Sequence, residues 1–272
     1  MQNNNKIKFQ AMKKQTLLVL FLFICQLTFS NVVVLNGLTH VHKSASGNTI
    51  SGVIKLKNTN NTEQRIIIYF NNLFQKCGAE TILTDKSTHN RSIGKWFSTN
   101  VNERVLKPNE QYELVYTIKV PNDSTLNGSY WGVLMVEIEK PIKEDQLEYG
   151  VKLQSKIRYG IQLIVDVNTP TPSELDFFNI KINKSGKSNI INVDVQNNGI
   201  YYVKATLVLE VFDENGKQVK KQEVKFKKIY PASCKAYSID ISDLPKGTYS
   251  ASLVADYGGG DMYATDLEFE IK

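Results

Sequence analysis

The three histidines are the side chains of this sequence best suited to chemistry. His40 and His42 stand two apart on a predicted strand and therefore share one face, but a metal site needs further ligands. His89 has Asp85 and Ser87 nearby in a loop, whereas a nucleophilic triad needs a base that is fixed by a buried carboxylate. Phosphate-cradling, dinucleotide and metalloprotease motifs are absent from the sequence. We therefore expect no catalytic residue, no metal site and no small-molecule cofactor.

The net charge argues against binding to nucleic acid. The 272 residues carry 33 Lys and Arg against 27 Asp and Glu, but four of the lysines lie in the first thirty residues, which have no acidic residue. The remainder (33 less 4) has 29 basic and 27 acidic residues, a balance of +2. A protein that binds nucleic acid usually shows a dedicated basic stripe.

The N-terminal residues 1–30 have the three-part pattern of a signal peptide. Lys13 and Lys14 precede an apolar run from Leu17 to Cys25, which is about half of the roughly 20 residues that a membrane span needs. Small residues, Thr28 and Ser30, precede the predicted cleavage site. Lipidation of Cys25 is an open alternative, disfavoured because bulky Ile24 comes before it. The sequence therefore predicts an exported protein.

The rest of the chain alternates apolar and polar residues with a period of two, which is typical of β-strands. Five runs in the first half show the pattern best: Ile50 to Leu56, Arg65 to Phe70, Tyr112 to Val120, Tyr130 to Ile138 and Val151 to Val167. The segment from Asn71 to Asn100 alternates less clearly and is expected to be a long loop or an extra hairpin. Many short strands separated by turn residues predict an all-β sandwich or barrel.

A proline-containing linker divides the chain into two domains. The longest alternating run, Tyr149 to Val165, is apolar at odd positions except Ser155 and mostly basic or polar at even ones. Pro170 and Pro172 follow it, and two such prolines cannot continue a ladder. We expect an N-terminal immunoglobulin-like domain at residues 31–167, a linker at 168–174 and a C-terminal immunoglobulin-like domain at 175–272.

Three further features are given structural interpretations. Cys77 and Cys234 fall in different predicted domains, so we expect that they do not pair, although export permits disulfides. Trp131 is expected to pack in a core. The six lysines between Lys217 and Lys228 predict a solvated hairpin, with contact to an anionic surface polymer as the alternative.

Motifs in both halves resemble those of the periplasmic chaperones of pilus assembly, the PapD-like family with two immunoglobulin-like domains. The matching blocks are Ile54 to Asn60, Val105 to Glu110, Tyr130 to Ile138, Val151 to Ile164, Gln196 to Val203 and Asp256 to Gly259. The second block resembles the family's leucine–x–proline–glycine bend, with Asn109 in place of glycine.

The resemblance implies binding of secreted subunits by strand addition. Tyr149, Val151 and Leu153 match the side chains that the family donates to a subunit. Family members also hold the subunit's terminal carboxylate with two basic residues. Arg158 matches one of them, and counting back from the second-strand block places His42, with Lys43 beside it, at the other.

Two functions compete at this stage. The first is a periplasmic chaperone-like protein that binds secreted fimbrial or surface subunits at an exposed edge of the first domain, an edge that also offers a route to self-association. The second is a cell-surface scaffold or adhesion-associated protein that binds wall polymer or another surface protein. It predicts that the last strand of the first domain is covered.

Overall fold

The computed structural model describes residues 32–139, 156–169, 174–185, 188–258 and 262–272. These ranges contain strands, turns and loops, and no helix within them is long and apolar enough to cross a membrane. The predicted signal peptide lies outside them, as do Tyr149, Val151 and Leu153.

The first half folds into a two-sheet sandwich. Its described strands are β1 Val32–Val34, β2 Thr39–Ser44, β3 Thr49–Asn58, β4 Gln64–Phe74, β5 Ile82–Thr84, β6 Phe97–Thr99, β7 Glu103–Leu106, β8 Gln111–Lys119, β9 Gly128–Glu139 and β10 Ile157–Val167. One sheet has the order β1-β3-β8-β6, and the other has the order β2-β10-β9-β4-β5 with β7 also paired to β4. A single apolar core that includes Ile54, Leu114 and Leu134 fills the space between them.

The second half repeats this design. Its described strands are β11 Leu175–Ser185, β12 Ser188–Asn197, β13 Val203–Phe212, β14 Gln218–Ile229, β15 Ser233–Asp240, β16 Gly247–Asp256 and β17 Met262–Ile271. A sheet of β11-β12-β15 faces a sheet of β14-β13-β16-β17 across a second core. Along β13, residues alternate between buried and more exposed, as the period-two pattern requires. The all-β fold with two tandem immunoglobulin-like sandwiches is confirmed.

A buried asparagine shapes the turn after a core strand in each domain. Asn58, at the end of β3, donates its side-chain amide to the carbonyls of Thr62 and Lys107, each at 2.9 Å. Asn197, at the end of β12, donates in the same way to the carbonyls of Tyr201 at 2.7 Å and Ile229 at 3.1 Å. Both side chains are fully buried, so each satisfies backbone acceptors that would otherwise lack a partner.

The bend before β8 has a backbone conformation that accommodates Asn109 in place of glycine. Asn109 has a φ of 60°, a left-handed conformation that favours glycine but that asparagine tolerates. Its amide N–H donates to the carbonyl of Asn60 at 3.3 Å, and the N–H of Glu110 closes a turn on Lys107 at 3.1 Å. The substitution therefore leaves the bend intact.

The expectation that Cys77 and Cys234 do not pair was wrong. Cys77 lies in the connection between β4 and β5, Cys234 lies on β15, and the structure joins them in a disulfide that spans 157 residues. Two more contacts bind the same connection to the second domain: Gln75 lies 2.9 Å from the Ser233 hydroxyl, and Lys235 donates to the Thr81 hydroxyl at 3.0 Å. The cysteines do belong to different sandwiches, and those sandwiches dock where the cysteines lie.

Replacing both cysteines with alanine should lower the free energy of unfolding by about 2–4 kcal/mol, because the disulfide closes a very long loop and restricts the unfolded chain. Urea unfolding of the wild-type protein with and without reductant, beside the Cys77→Ala/Cys234→Ala variant, measures this. Identical unfolding curves for all three samples would contradict the disulfide.

Candidate functional site

Among the described strands, the first half of β10 forms an open sheet edge. β9 pairs with β10 along its whole length from Ile157 to Val167, whereas β2 pairs with it in parallel only from Gln162 onwards. The N–H of Gln162 donates to the carbonyl of Leu38 at 3.0 Å, so the even-numbered residues direct their backbone groups away from β9. Because the register with β9 is continuous, the N–H and C=O groups of Arg158 and Gly160 face the edge that no described strand covers.

The two faces of this strand differ in chemistry. Odd-numbered side chains point into the first core: Ile161 is fully buried, and Ile157 and Tyr159 are half-buried at its rim. Even-numbered positions carry Arg158, Gly160 and, where β2 begins, Gln162. The predicted apolar and polar alternation is thus present along the described part of the run.

Arg158 is held by an acidic residue of its own chain. Its cross-strand partner is Glu137 on β9, and its Nε donates to that carboxylate at 2.7 Å. Lys156 donates to the same carboxylate at 2.6 Å, and the Tyr69 hydroxyl donates at 3.2 Å. Glu137 is only 5% exposed. The hydrogen bond from Lys156, assisted by that from Arg158, holds the pKa of Glu137 below its usual range, although burial acts in the opposite direction.

His42 and Lys43 lie far from Arg158. His42 is opposite Val165 on β10, seven residues beyond Arg158, which is roughly 23 Å at about 3.3 Å per residue. Its Nε2 is 2.8 Å from the Tyr116 hydroxyl, and burial lowers its pKa. Lys43 is exposed on the same strand. The structure does not bring the three predicted anchor residues together, so one small anion would not contact all of them.

A different set of cations lines the cleft between the sandwiches. A cavity of about 340 Å³ is bordered by Lys227 and Lys228 of β14, Lys235 of β15, and Leu73, Gln75, Thr81, Gln162 and Tyr230. Lys228 reaches the first domain, where its Nζ donates to Gln162 at 2.8 Å and also contacts the Thr39 hydroxyl. No acidic side chain is among these described lining residues.

Burial and mutual repulsion act on these lysines. Desolvation, and then the nearby charge of Lys204, lowers the pKa of Lys228. Desolvation, and then the charge of Lys227, lowers the pKa of Lys235. Such shifts mark cations that lack a full counter-charge, so an anionic group in the cavity would be stabilised there.

The docking of the domains fixes this cavity in position. Trp131 of β9 is 7% exposed, donates to the carbonyl of Leu73 at 2.9 Å and packs against the Tyr230 ring at 4.7 Å between centroids. Ile164 of β10 joins the same apolar cluster. Trp131 is therefore buried as expected, but it packs between the two domains and not within the core of one of them.

A buried polar link supports the docking. The Ser129 hydroxyl accepts from the N–H of Tyr202 at 2.7 Å and donates to the carboxylate of Asp166. The N–H of Ser129 donates to the carbonyl of Ile200 at 2.8 Å. Burial raises the pKa of Asp166, while its hydrogen bond from Ser129 lowers it in part. These bonds join β9 and β10 to the turn that precedes β13.

The remaining candidate residues have structural surroundings. His89 packs between Phe74 and Trp131, with ring centroids 5.2 and 4.8 Å away, and burial lowers its pKa. Within the described ranges, no group of three or more His, Cys, Asp or Glu side chains is placed to hold a metal ion. Of the lysines on β14, Lys220 pairs with Asp243, Lys221 pairs with Glu210, and Lys228 turns into the cleft. The sequence predicted that all of these lysines would be solvated, but three of them bind other side chains.

Sequence reasoning missed Lys228 and Lys235 as candidate site residues. Lys228 stood at the end of a lysine run that was interpreted as a solvated hairpin, and Lys235 had no neighbouring signal beyond the adjacent Cys234. The half-buried position of both lysines depends on how the domains dock.

Comparison with known proteins gives a likeness to fimbrial chaperones among solved structures. The sequence matches no protein-family model and no curated protein. The chain is similar to the YadV chaperone, with 17% identity and a TM-score of 0.48 over 87% of this chain and 100% of that one. It is also similar to the class 5 fimbriae chaperone CfaA, with 14% identity and a TM-score of 0.48 over 87% and 98%.

A third similar structure is the CsuC–CsuE chaperone–tip adhesion subunit complex of archaic chaperone-usher Csu pili from Acinetobacter baumannii. Its identity is 13% and its TM-score is 0.47, over 88% of this chain and 98% of that one. The resemblance noted in the sequence is thus also found among solved structures. The strands and cores described above establish the fold, and these likenesses add nothing about what this chain binds.

Replacing Glu137 with glutamine should lower the free energy of unfolding at neutral pH by about 1–3 kcal/mol, because a buried, charge-assisted bonding group is lost. The pKa of Glu137 is lowered in the folded protein, so its contribution is complete above the ordinary value of 4.5 and is lost as the pH falls through the folded value. Urea unfolding at pH 7 and pH 3 should therefore show a difference that shrinks in acid.

The matched control is Glu139→Gln on the same strand. Glu139 pairs with a half-exposed Arg65, and such surface pairs contribute at most about 1 kcal/mol. Equal losses for the two variants, or a loss for Glu137→Gln that does not change with pH, would contradict the role given to Glu137.

Proposed function

We propose that this chain is an exported, non-catalytic protein that binds secreted β-rich subunits, fimbrial or of another surface structure, by strand addition at the open edge of β10. The observation that carries the proposal is the outward direction of the Arg158 and Gly160 backbone groups along an edge without a described partner. Unpaired strand edges attract other strands, and native proteins usually protect them. An edge left open in a domain with a complete core is suited to a partner strand.

The side chains of β10 support the same binding mode. Ile157 and Tyr159 lie half-buried at the rim of the core, where inward side chains of an added strand would extend the apolar layer. Upstream in the sequence, Leu153, Val151 and Tyr149 continue the apolar alternation. We propose that they take part in the same contact as donated side chains.

The lysines of the cleft favour one direction for the added strand. The open edge ends at Gln162, where Lys228 is bound. A strand that runs parallel to β10 would bring its C-terminal end to this point, whereas an antiparallel strand would bring its N-terminal end. Because the cavity holds cations without acidic neighbours, it favours a carboxylate and therefore the parallel direction.

We assign the main anchoring role to Lys228 and Lys235. Arg158, the anchor predicted from the sequence, already neutralises Glu137, and His42 is bound to Tyr116. In this proposal Arg158 contributes its backbone to the added strand and its charge to Glu137. The periplasm is the proposed location, and an oxidising compartment agrees with the disulfide between Cys77 and Cys234.

The proposal predicts a difference between two lysines of the same strand. Lys228→Gln removes a cation from the cleft, whereas Lys225→Gln changes an exposed lysine of β14 and serves as the control. Tagged wild-type and variant proteins are captured from the envelope of the native host, and co-purifying proteins are quantified by mass spectrometry. A charge-assisted hydrogen bond contributes about 1.5–3 kcal/mol, so recovery of subunits with Lys228→Gln should fall at least about tenfold.

Small secreted β-rich proteins that co-purify with wild type and Lys225→Gln, and are lost with Lys228→Gln, would support the proposal. Wall polymer or one large surface protein, recovered equally with all three, would overturn it in favour of a surface scaffold. Sedimentation of the purified wild-type protein measures whether it self-associates. In a dimer formed as predicted, the second copy would pair with the open edge of β10.

A further inference from the structure

The described residues give no conformational reason for a glycine at position 160, on the open edge of β10. Glycine weakens a strand, and it usually marks a bulge, a sharp bend or a close approach by another group. The register between β10 and β9 runs through Gly160 without a shift, and Gly160 does not have a positive φ. A bulge and a left-handed turn are therefore both excluded at this position.

Two other glycines within strands show what the fold does with such positions. A Cβ on Gly52 of β3 would lie 2.1 Å from the ring of Tyr116, its direct partner on β8. A Cβ on Gly132 of β9 would lie 2.0 Å from the ring of Phe70 on β4. In both cases an aromatic side chain from a neighbouring strand covers the glycine, and no other residue type would leave room for the ring.

Gly160 differs because no ring atom is among the three heavy atoms nearest to an added Cβ. A Cβ there would meet Val133 Cγ1 at 3.3 Å, Met135 Sδ at 3.6 Å and Leu83 Cδ1 at 3.8 Å, so an alanine would fit with small adjustments. Val133 is 1% exposed and Met135 is 5% exposed, so buried apolar side chains lie beside the glycine on this face. Leu83 is 41% exposed, and its neighbour Ile82 on β5 is 56% exposed, so these two side chains present apolar surface to solvent.

We infer that Gly160 is a specificity-determining residue that receives an aromatic side chain from the added strand. On the open side of β10, the residue of the new strand opposite Gly160 would project from the same face and lay its ring over the glycine, as Tyr116 does over Gly52. The guanidinium of Arg158, two positions along this face, is placed to contact such a ring. This inference rests on the proposed strand addition and narrows its partner to strands with an aromatic residue at one position.

Peptide binding tests the inference directly. Nine-residue peptides that alternate valine and threonine and end in a free carboxylate carry either tyrosine or alanine at one of the four threonine positions. The dissociation constant of each is measured with the full mature protein by calorimetry, up to millimolar peptide. At one position, and not at the other three, tyrosine should bind roughly tenfold more tightly than alanine, as expected for a well-packed aromatic contact.

Variants of Gly160 locate the effect. In Gly160→Val the advantage of tyrosine should fall below about twofold while the alanine peptide still binds, and Gly160→Ala, which has only ordinary contacts to accommodate, should give an intermediate result. Circular dichroism tests whether each variant is folded. If a variant is not folded, the inference is judged from the binding of the tyrosine and alanine peptides to the wild-type protein.

Equal binding of tyrosine and alanine peptides at every position would overturn the inference and leave strand addition in place. A tyrosine advantage that persists in folded Gly160→Val would also overturn it. Failure of every peptide to bind the wild-type protein would overturn strand addition itself, and this inference with it.

Discussion

The backbone of β10 is hydrogen-bonded on one side along its whole described length and on the other side only from Gln162 to Val167. β1 pairs with β3 in the opposite sheet, and the chain joins β10 only at Thr39, opposite Gln162. β2 therefore does not reach the part of β10 that precedes Gln162. Among the described strands, none pairs with the outward backbone groups of Arg158 and Gly160. The candidate site consists of three parts that depend on this half-paired strand. They are the open backbone edge, the apolar side chains at the rim of the core, and the cleft at Gln162 where the open edge ends.

The second sandwich determines what lies at the end of the open edge. Trp131 and Ile164 pack against Tyr230, and the Ser129–Asp166 link ties β9 and β10 to the turn before β13. The disulfide adds a covalent restraint next to Lys235, which lines the cavity. With the domains held in this way, Lys228 bonds to Gln162 and Lys235 bonds to Thr81. These contacts place cations where the proposed added strand would end, and pre-organisation of this kind reduces the entropic cost of binding.

Much of the fold could be predicted because alternation with a period of two determines which side chains of a strand point inwards. β8 and β9 begin and end within two residues of their predicted bounds, and the asparagine turns at Asn58 and Asn197 fall within the motifs noted in the sequence. Periodicity does not determine which strands become neighbours. The pairing of Arg158 with Glu137 depends on the register between β9 and β10, and the separation of His42 from Arg158 depends on where β2 joins the sheet. The disulfide and the position of Lys228 depend on the docking of two domains, which no local pattern encodes.

Residue-resolved amide hydrogen exchange along β10 tests the central claim most directly. In the free protein, Arg158 and Gly160 should exchange rapidly while Tyr159 and Ile161, whose N–H groups face β9, stay protected. When a saturating concentration of a carboxylate-ended valine–threonine peptide is added, Arg158 and Gly160 should become protected and the other two should change little. Slow exchange at Arg158 and Gly160 in the free monomer, or no change on binding, would contradict an open edge that accepts a strand.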